Sequence, residues 1–207
     1  PGARVERPAF RRHYAVRDGV LVAMDAPLLV IHGGAGVERA GMTAADEAAA
    51  RRALEAALRA GHAKLAEGKP AADAVVAAIA VLEDDPLFNA GRGAVFTHDG
   101  RNELDASLMD GATRKAGAVA GVHNVKNPIL LAREVMDHSP HVMMAGAGAE
   151  AFAKERGVEQ VDPSYFRTER RWQQLQRALK EDAAGQAHAE PEVAKHFGTV
   201  GALALDA

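Results

Sequence analysis

Gly198-Thr199-Val200-Gly201-Ala202-Leu203-Ala204-Leu205 is a continuous apolar run opened by a glycine and a hydroxyl residue. Apolar residues at nearly every position, rather than at alternate ones, predict a central strand covered on both faces. The segment before it has the opposite character. From Glu181 to His196 almost every residue is Ala, Gly, Gln, Glu, Asp, Lys, His or Pro, too polar to offset the entropy lost on ordering, so residues 181–198 read as a flexible linker. Were the bond between Gly198 and Thr199 cut, Thr199 would carry a free α-amine. With an unperturbed pKa of about 8, that amine could act as general base for the hydroxyl of the same residue. A β-branched Thr is also an ordinary strand residue, and the local spacing leaves both readings open.

The rest of the chain is organised around similar signals. Pro27 to Ile31 is a second short apolar run, and it breaks into His32-Gly33-Gly34-Ala35-Gly36, so a strand covered on both faces feeds a glycine loop. Residues 1–25 are irregular and Arg-rich, and Met24 is expected as the natural start. Thr43-Ala44-Ala45-Asp46 reads as a helix N-terminus with Leu54, Leu58 and Leu65 following on one face. A second helix is predicted from Pro70 to Glu83, with Val75, Ile79 and Leu82 facing the core. Ala94–Thr97 and Asn102–Asp110 read as a hairpin turning at residues 98–101, and Ala116–Val122 as another strand. Asn127 is predicted to cap a helix opened by Pro128, Val142–Ala145 to form a short strand, and Gly148–Arg156 a helix. Asp162-Pro163 repeats the cap-plus-proline device before a long helix bearing Trp172, Leu175 and Leu179.

Composition removes several function classes. The net charge is −3 without a long basic block, which argues against nucleic acid as a partner. There is no Cys, which excludes thiolate nucleophiles and Cys-based zinc sites and fits a cytoplasmic protein. No run approaches the roughly 20 apolar residues of a membrane span, and no signal-peptide pattern is present. The apolar fraction of 48% leans on Ala while aromatics are only 4%, which suits closely packed α/β layers and a core from Ala26 to Lys180.

Other candidate motifs carry bland readings beside the chemical ones. Gly33 to Gly36 could cradle an anion but lacks the spacing of a nucleotide-binding fingerprint, and a tight structural turn fits as well. His32 reads as a hydrogen-bonded structural residue, with a catalytic base as the alternative. Glu83, Asp84 and Asp85 lie where a helix ends before Pro86, a poor place for carboxylates unless a cation is near. A backbone-carbonyl cation site and a solvated acidic turn both fit, and Glu103/Asp105 could be acid/base carboxylates or metal ligands. The nine His include no i, i+4 pair with a Glu between, which disfavours hydrolytic zinc.

Several segments occur together in a fixed order: Ile31-His32-Gly33-Gly34-Ala35-Gly36, Leu87-Phe88-Asn89-Ala90-Gly91-Arg92-Gly93-Ala94-Val95-Phe96-Thr97, Glu103-Leu104-Asp105-Ala106, Met109-Asp110-Gly111, Lys115 to Gly121, Asn127-Pro128 and Gly198-Thr199-Val200-Gly201-Ala202. In this combination the chain, from about Ala26 to Leu205, closely resembles the plant-type asparaginase and isoaspartyl peptidase family of N-terminal nucleophile hydrolases. The resemblance implies an α/β fold of the four-layer αββα sandwich type, and a precursor that cuts itself at Gly198–Thr199 into α and β subunits.

By motif, Thr199 matches the nucleophile, Asn89 a residue that orders its surroundings, and Gly33 and Gly34 the active-site glycine loop. The carbonyls of Leu82, Glu83, Asp85, Phe88, Ala90 and Arg92 match a loop that binds structural sodium, and no organic cofactor is implied. The implied substrates are L-asparagine or β-aspartyl dipeptides, cleaved as amides. The implied partners are the chain's own β subunit and a second αβ unit, giving an (αβ)2 assembly. Glycosylasparaginase, a threonine endopeptidase of the same fold and a non-enzymatic anion-binding module remain as alternatives. Only residues 200–207 follow Thr199. The chain therefore reads as an α subunit with the first β-subunit strand at 199–207, a fold incomplete in itself. On that reading it is inactive alone, and the Arg and Asp expected to clamp substrate and the Thr-Gly region of the oxyanion hole lie outside it.

Overall fold

The computed structural model describes residues 13–17, 20–24, 27–34, 43–183 and 198–206, and the fold is a mixed α/β one. The apolar run at Pro27 becomes β3 (Leu28–His32), and the run after Thr199 becomes β7 (Gly201–Leu205). They pair antiparallel, from Leu28 opposite Leu205 to His32 opposite Gly201. Their inner face, including Leu29, Ile31 and Ala202, packs on α1 (Ala44–Ala66) and α2 (Ala71–Asp84). On the other face Leu28, Val30 and Leu203 are exposed in this chain, Leu203 by 61%.

Helix α1 begins as its sequence requires. The Thr43 hydroxyl accepts from Asp46 N at 3.1 Å and the Asp46 carboxylate accepts from Thr43 N at 3.3 Å, a reciprocal capping box. Its buried stripe is Ala53, Ala57, Gly61 and Leu65, whereas Leu58 is 39% exposed and leaves the face assigned to it. Small residues win because α2 and β3 lie too close for large ones. A Cβ on Gly61 would stand 2.7 Å from the Ala74 carbonyl and 2.6 Å from Leu29. Helix α2 buries Ile79 and Leu82 as predicted, with Val75 half-buried, and the Asp206 carboxylate accepts from Ala71 N at 2.9 Å, fastening β7 to the start of α2.

A second sheet runs β4 (Leu104–Met109), β5 (Ala116–Val122), β6 (Met143–Ala145), antiparallel between the first two and parallel between the last. Helix α3 (Pro128–His138) covers it at Gly117, where an added Cβ would sit 2.1 Å from the Ala132 carbonyl. Helix α4 (Gly146–Arg156) flanks the sheet, and α5 (Glu169–Ala183) follows a short 3-10 turn at Pro163–Phe166. Between α2 and β4, Gly91–Gly93 forms another such turn.

Five further sequence expectations are revised. In place of irregular chain, β1 (His13–Arg17) and β2 (Val20–Met24) form an antiparallel hairpin. The predicted hairpin at 94–110 is reduced to one bridge, Phe96 opposite Asn102, because the Asn102 side chain takes the carbonyls of Ala94 and Val95. Asp162 caps the 3-10 turn, through Ser164 N, and not the long helix. Residues 181–183 belong to α5, and the rest of the expected linker, 184–197, lies outside the described residues.

The fifth revision concerns the cap of α3. The Asn127 amide instead reaches the Ala80 carbonyl and Asp84 Oδ1, at 3.4 and 3.1 Å. Glu83 supplies the cap from the neighbouring helix, its Oε1 accepting from Ile129 N at 3.0 Å. Glu83 is buried, its Oε2 has no hydrogen-bond partner among the described residues, and burial pushes its carboxyl up to about 8. A folded pKa above the ordinary 4.5 means that Glu83 contributes fully below pH 4.5 and loses that contribution as pH rises towards 8. Glu83→Gln keeps the acceptor and cannot ionise. Its stability relative to the parent should therefore rise across this window by up to roughly 1.4 kcal/mol per pH unit, read from urea unfolding at pH 5 and pH 8. Parallel pH curves for the two proteins would show that Glu83 titrates normally.

Candidate active site

Strand β7, strands β4 and β5, helices α2 and α3 and the loop after α2 line a cleft of about 770 Å³. Gly198 and Thr199 line it from the start of β7, Asn89 and Gly91 from the loop, and Glu103, Asp105 and Ser107 from β4 and the residue before it. Thr199 is exposed within this cleft and Gly198 half-buried.

The ladder between β3 and β7 sets the position of Thr199. Because His32 pairs with Gly201, the residues before Gly201 run alongside those after His32. Gly34 has φ of +112°, a conformation that disfavours side chains, and a Cβ there would lie 3.4 Å from the Gly198 backbone. Gly33 meets the Phe88 ring, only 2.6 Å from where its Cβ would be. His32 packs its ring over Gly201, where an added Cβ would stand 2.2 Å from Nε2. Gly34 is thus brought beside Gly198 and Thr199, the latter 165 positions away in sequence, while Gly33 packs on Phe88 and Leu54.

Asn89 is held by its own loop. Its Oδ1 accepts from Val95 N at 2.9 Å, which commits the acceptor and leaves the amide donors for a group in the cleft. The loop closes tightly. Ala90 O accepts from Gly93 N at 3.0 Å, Asp85 O from Phe88 N at 3.4 Å, and the Asp85 side chain from Leu87 N at 2.9 Å. Gly91, at φ +47°, lies against the Glu83 carbonyl and Gly93 against the Phe88 carbonyl, so a Cβ at either would collide with a carbonyl oxygen. Leu82 and Phe88 are buried, and Arg92 turns outward with its guanidinium 5.4 Å from the Tyr165 ring centre.

The carboxylates singled out in the sequence have separate structural duties. Asp105 Oδ1 accepts from Gly121 N at 2.8 Å across the β4–β5 pair, and Glu103 Oε1 lies 3.7 Å from His123 Nε2. Among the described residues no group of three or more His, Cys, Asp or Glu side chains is placed to hold a metal ion, and no helix is long and apolar enough to cross a membrane. Two residues around the loop were not picked out from the sequence, Asn102 and Arg171, both buried. Arg171 stands four residues before Leu175 on the buried face of α5, so a charge in an apolar register was the available signal.

The profile of the asparaginase family matches residues 25–207. The chain belongs to the asparaginase family. Among relatives, it is 50% identical over 186 residues to the isoaspartyl peptidase of Escherichia coli K12, a match covering 88% of this chain and 58% of that protein. It is 43% identical over 188 residues to the plant-type L-asparaginase of Pyrococcus abyssi (86% of this chain, 59% of the relative). With the mouse isoaspartyl peptidase/L-asparaginase it shares 40% over 187 residues (90% and 56%). The chain thus spans under three fifths of the length of these relatives, and Thr199 and Asn89 both fall within the stretch matched to the asparaginase family.

The hydrogen bond from Val95 to Asn89 gives a direct test of the loop. Asn89→Ala leaves a half-buried N–H without its acceptor and should cost about 1–3 kcal/mol of unfolding free energy, whereas Asn89→Asp keeps the acceptor and should cost less. Chemical denaturation of the two variants separates these values, and equal losses would show that the bond is not what holds the loop.

Proposed function

We propose that this chain is the nucleophile-bearing part of an amidohydrolase that acts on L-asparagine and β-aspartyl dipeptides. The observation that carries the reading is the placement of Thr199. It follows Gly198 at the start of a paired strand, opens into the cleft, and shares that cleft with Asn89 beside the Gly33–Gly34 turn. The names of the relatives, isoaspartyl peptidase and plant-type L-asparaginase, supply the substrate class.

In this reading the Gly198–Thr199 peptide is cut autocatalytically and Thr199 gains a free α-amine. The amine takes the proton from Thr199 Oγ as the oxygen attacks the side-chain amide carbon of the substrate. A tetrahedral oxyanion collapses, the proton passes to the departing nitrogen, and a β-aspartyl ester remains on Thr199. Water, deprotonated by the same amine, then releases aspartate. Asn89 donates from its amide to hold the nucleophile or the oxyanion, a task for which its fixed acceptor orients it. The αββα sandwich, the rest of the β subunit, the substrate clamp and an (αβ)2 assembly belong to the same proposal.

The loop 82–92 would hold a monovalent cation through the carbonyls of Leu82, Glu83, Asp85, Phe88, Ala90 and Arg92. Two observations fit. The carbonyls of Leu82 and Glu83 belong to the C-terminal turn of α2, where helix dipoles attract cations. Glycines at 91 and 93 leave the carbonyls of Glu83 and Phe88 uncovered by side chains. Neutral oxygen donors suit a hard, singly charged ion such as sodium, which would stiffen the loop without taking part in the chemistry.

In the full-length protein, Thr199→Ala should leave one uncut chain without hydrolytic activity, and Thr199→Ser should process more slowly yet reach an active form, as followed by denaturing gels and aspartate release. Normal processing of the alanine variant would sink the assignment. For the cation, Asp85→Ala should leave sodium-dependent thermal stabilisation intact, because carbonyls and not that carboxylate are the ligands. Loss of the sodium effect in Asp85→Ala would call for a side-chain site instead.

A further inference from the structure

Segment 93–95 connects the loop bearing Asn89 to the turn at Thr97, and it lacks a strand partner for its backbone. Gly93 N and Ala94 N donate to the carbonyls of Ala90 and Gly91 within the turn, at 3.0 and 3.1 Å, and the remaining polar groups are met by side chains. Val95 N donates to Asn89 Oδ1, Ala94 O and Val95 O accept from Asn102 Nδ2 at 3.0 and 3.2 Å, and Gly93 O accepts from Arg171 Nε at 2.6 Å. Asn102 and Arg171 are 7% and 8% exposed. Among the described residues Arg171 has no carboxylate in salt-bridge range. Its other side-chain bond is to Gln174 Oε1 at 3.0 Å. Burying a guanidinium without a counter-charge is costly, and here its side-chain bonds go to two neutral oxygens, the Gly93 carbonyl and the Gln174 amide.

The element that carries Arg171 matters as much as the bond. Helix α5 ends at Ala183, the last described residue before segment 198–206 that carries Gly198 and Thr199. Its Trp172 ring meets Phe96 edge-on with centres 5.5 Å apart, and Arg167 stacks over Trp172 at 4.0 Å, so α5 is docked on the stretch that follows Val95. Gly93, Ala94 and Val95 are therefore clamped from two sides, and the clamp fixes the atom to which Asn89 is bonded.

We propose that Arg171 and Asn102 are positioning residues for the active site, acting through the backbone of Gly93–Val95 to hold Asn89 in register with Thr199. This inference rests on the functional reading above. A shift of the Asn89 amide by about 1 Å is enough to cost on the order of a hundredfold in a step that depends on orientation. A clamp of this kind acts on kcat and on self-cleavage rather than on substrate affinity.

The test uses the full-length protein and a β-aspartyl dipeptide, with processing at Gly198–Thr199, kcat, KM and melting temperature read for each variant. Arg171→Met keeps the apolar stem and removes the donors, Arg171→Lys restores one donor and the charge, and Asn102→Asp replaces the donating amide by an acceptor of the same shape. Arg171→Met should slow processing and lower kcat about tenfold or more with KM within about twofold, and Arg171→Lys should recover most of the loss. In an Asn89→Asp background, which has already lost the amide donors, Arg171→Met should add little further loss, whereas independent sites would multiply. Wild-type kcat and processing in Arg171→Met, or fully multiplicative losses with Asn89→Asp, would overturn the inference. If Arg171→Met does not fold, Asn102→Asp decides: a lowered kcat at unchanged KM supports the clamp and a wild-type kcat overturns it. A parent protein that neither processes nor hydrolyses the dipeptide would overturn the functional reading itself.

Discussion

The pairing of Leu28–His32 with Gly201–Leu205 is the contact on which the site depends. It joins segments 173 positions apart at the register His32 opposite Gly201, and a slip of one residue would turn every side chain of the strand to the other face. Two features oppose such a slip. Only glycine at 201 tolerates the His32 ring, and the Asp206 carboxylate must reach Ala71 N to close the far end. With register fixed, Thr199 has no choice but to lie beyond the end of β3, next to Gly34.

That ladder places the nucleophile candidate but not its neighbours, which come from the loop after α2. Here regular structure runs out, and the backbone groups that it would have satisfied must be met one at a time. The described residues contain four buried polar or charged side chains, Glu83, Asn102, Asn127 and Arg171. Each is bonded to a backbone group at a helix end or in segment 93–95: Ile129 N, the Ala94 and Val95 carbonyls, the Ala80 carbonyl and the Gly93 carbonyl. Polar burial in this part of the molecule therefore serves loop geometry, and of the four only Glu83 itself lines the cleft.

Sequence patterns were readable where a regular element needed them. Thr43 and Asp46 announce α1, the apolar runs announce β3 and β7, and the Pro128 start of α3 is marked by its proline. The candidate site was legible only as short motifs, Gly33-Gly34, Phe88-Asn89-Ala90-Gly91 and Gly198-Thr199, because spacing along the chain says nothing about which loops meet. Local rules misled where tertiary partners outbid them. Asn127 has the composition and position of a cap, yet Glu83 arrives from another helix and the Asn127 amide turns to α2. The β1–β2 hairpin carried a signal that composition masked: Asp18-Gly19 separates Val16-Arg17 from Val20-Leu21, a two-residue hairpin sequence inside an Arg-rich stretch.

The buried polar set also explains why the loop is built from glycines as well as side chains. Gly91 and Gly93 are required sterically, since Gly91 packs against the Glu83 carbonyl at the end of α2 and Gly93 against the Phe88 carbonyl of its own loop. Glycine backbone is entropically expensive to hold, and a loop with two of them within three residues would be loose unless fixed from outside. Arg171 and Asn102 supply that fixation at Gly93 and the two residues after it, while Asn89 closes the loop from within. Freedom needed to bring carbonyl oxygens into a tight turn is thus removed by bonds from a helix and a neighbouring turn. Asn89 shares the cleft with Thr199 as the end product of those constraints.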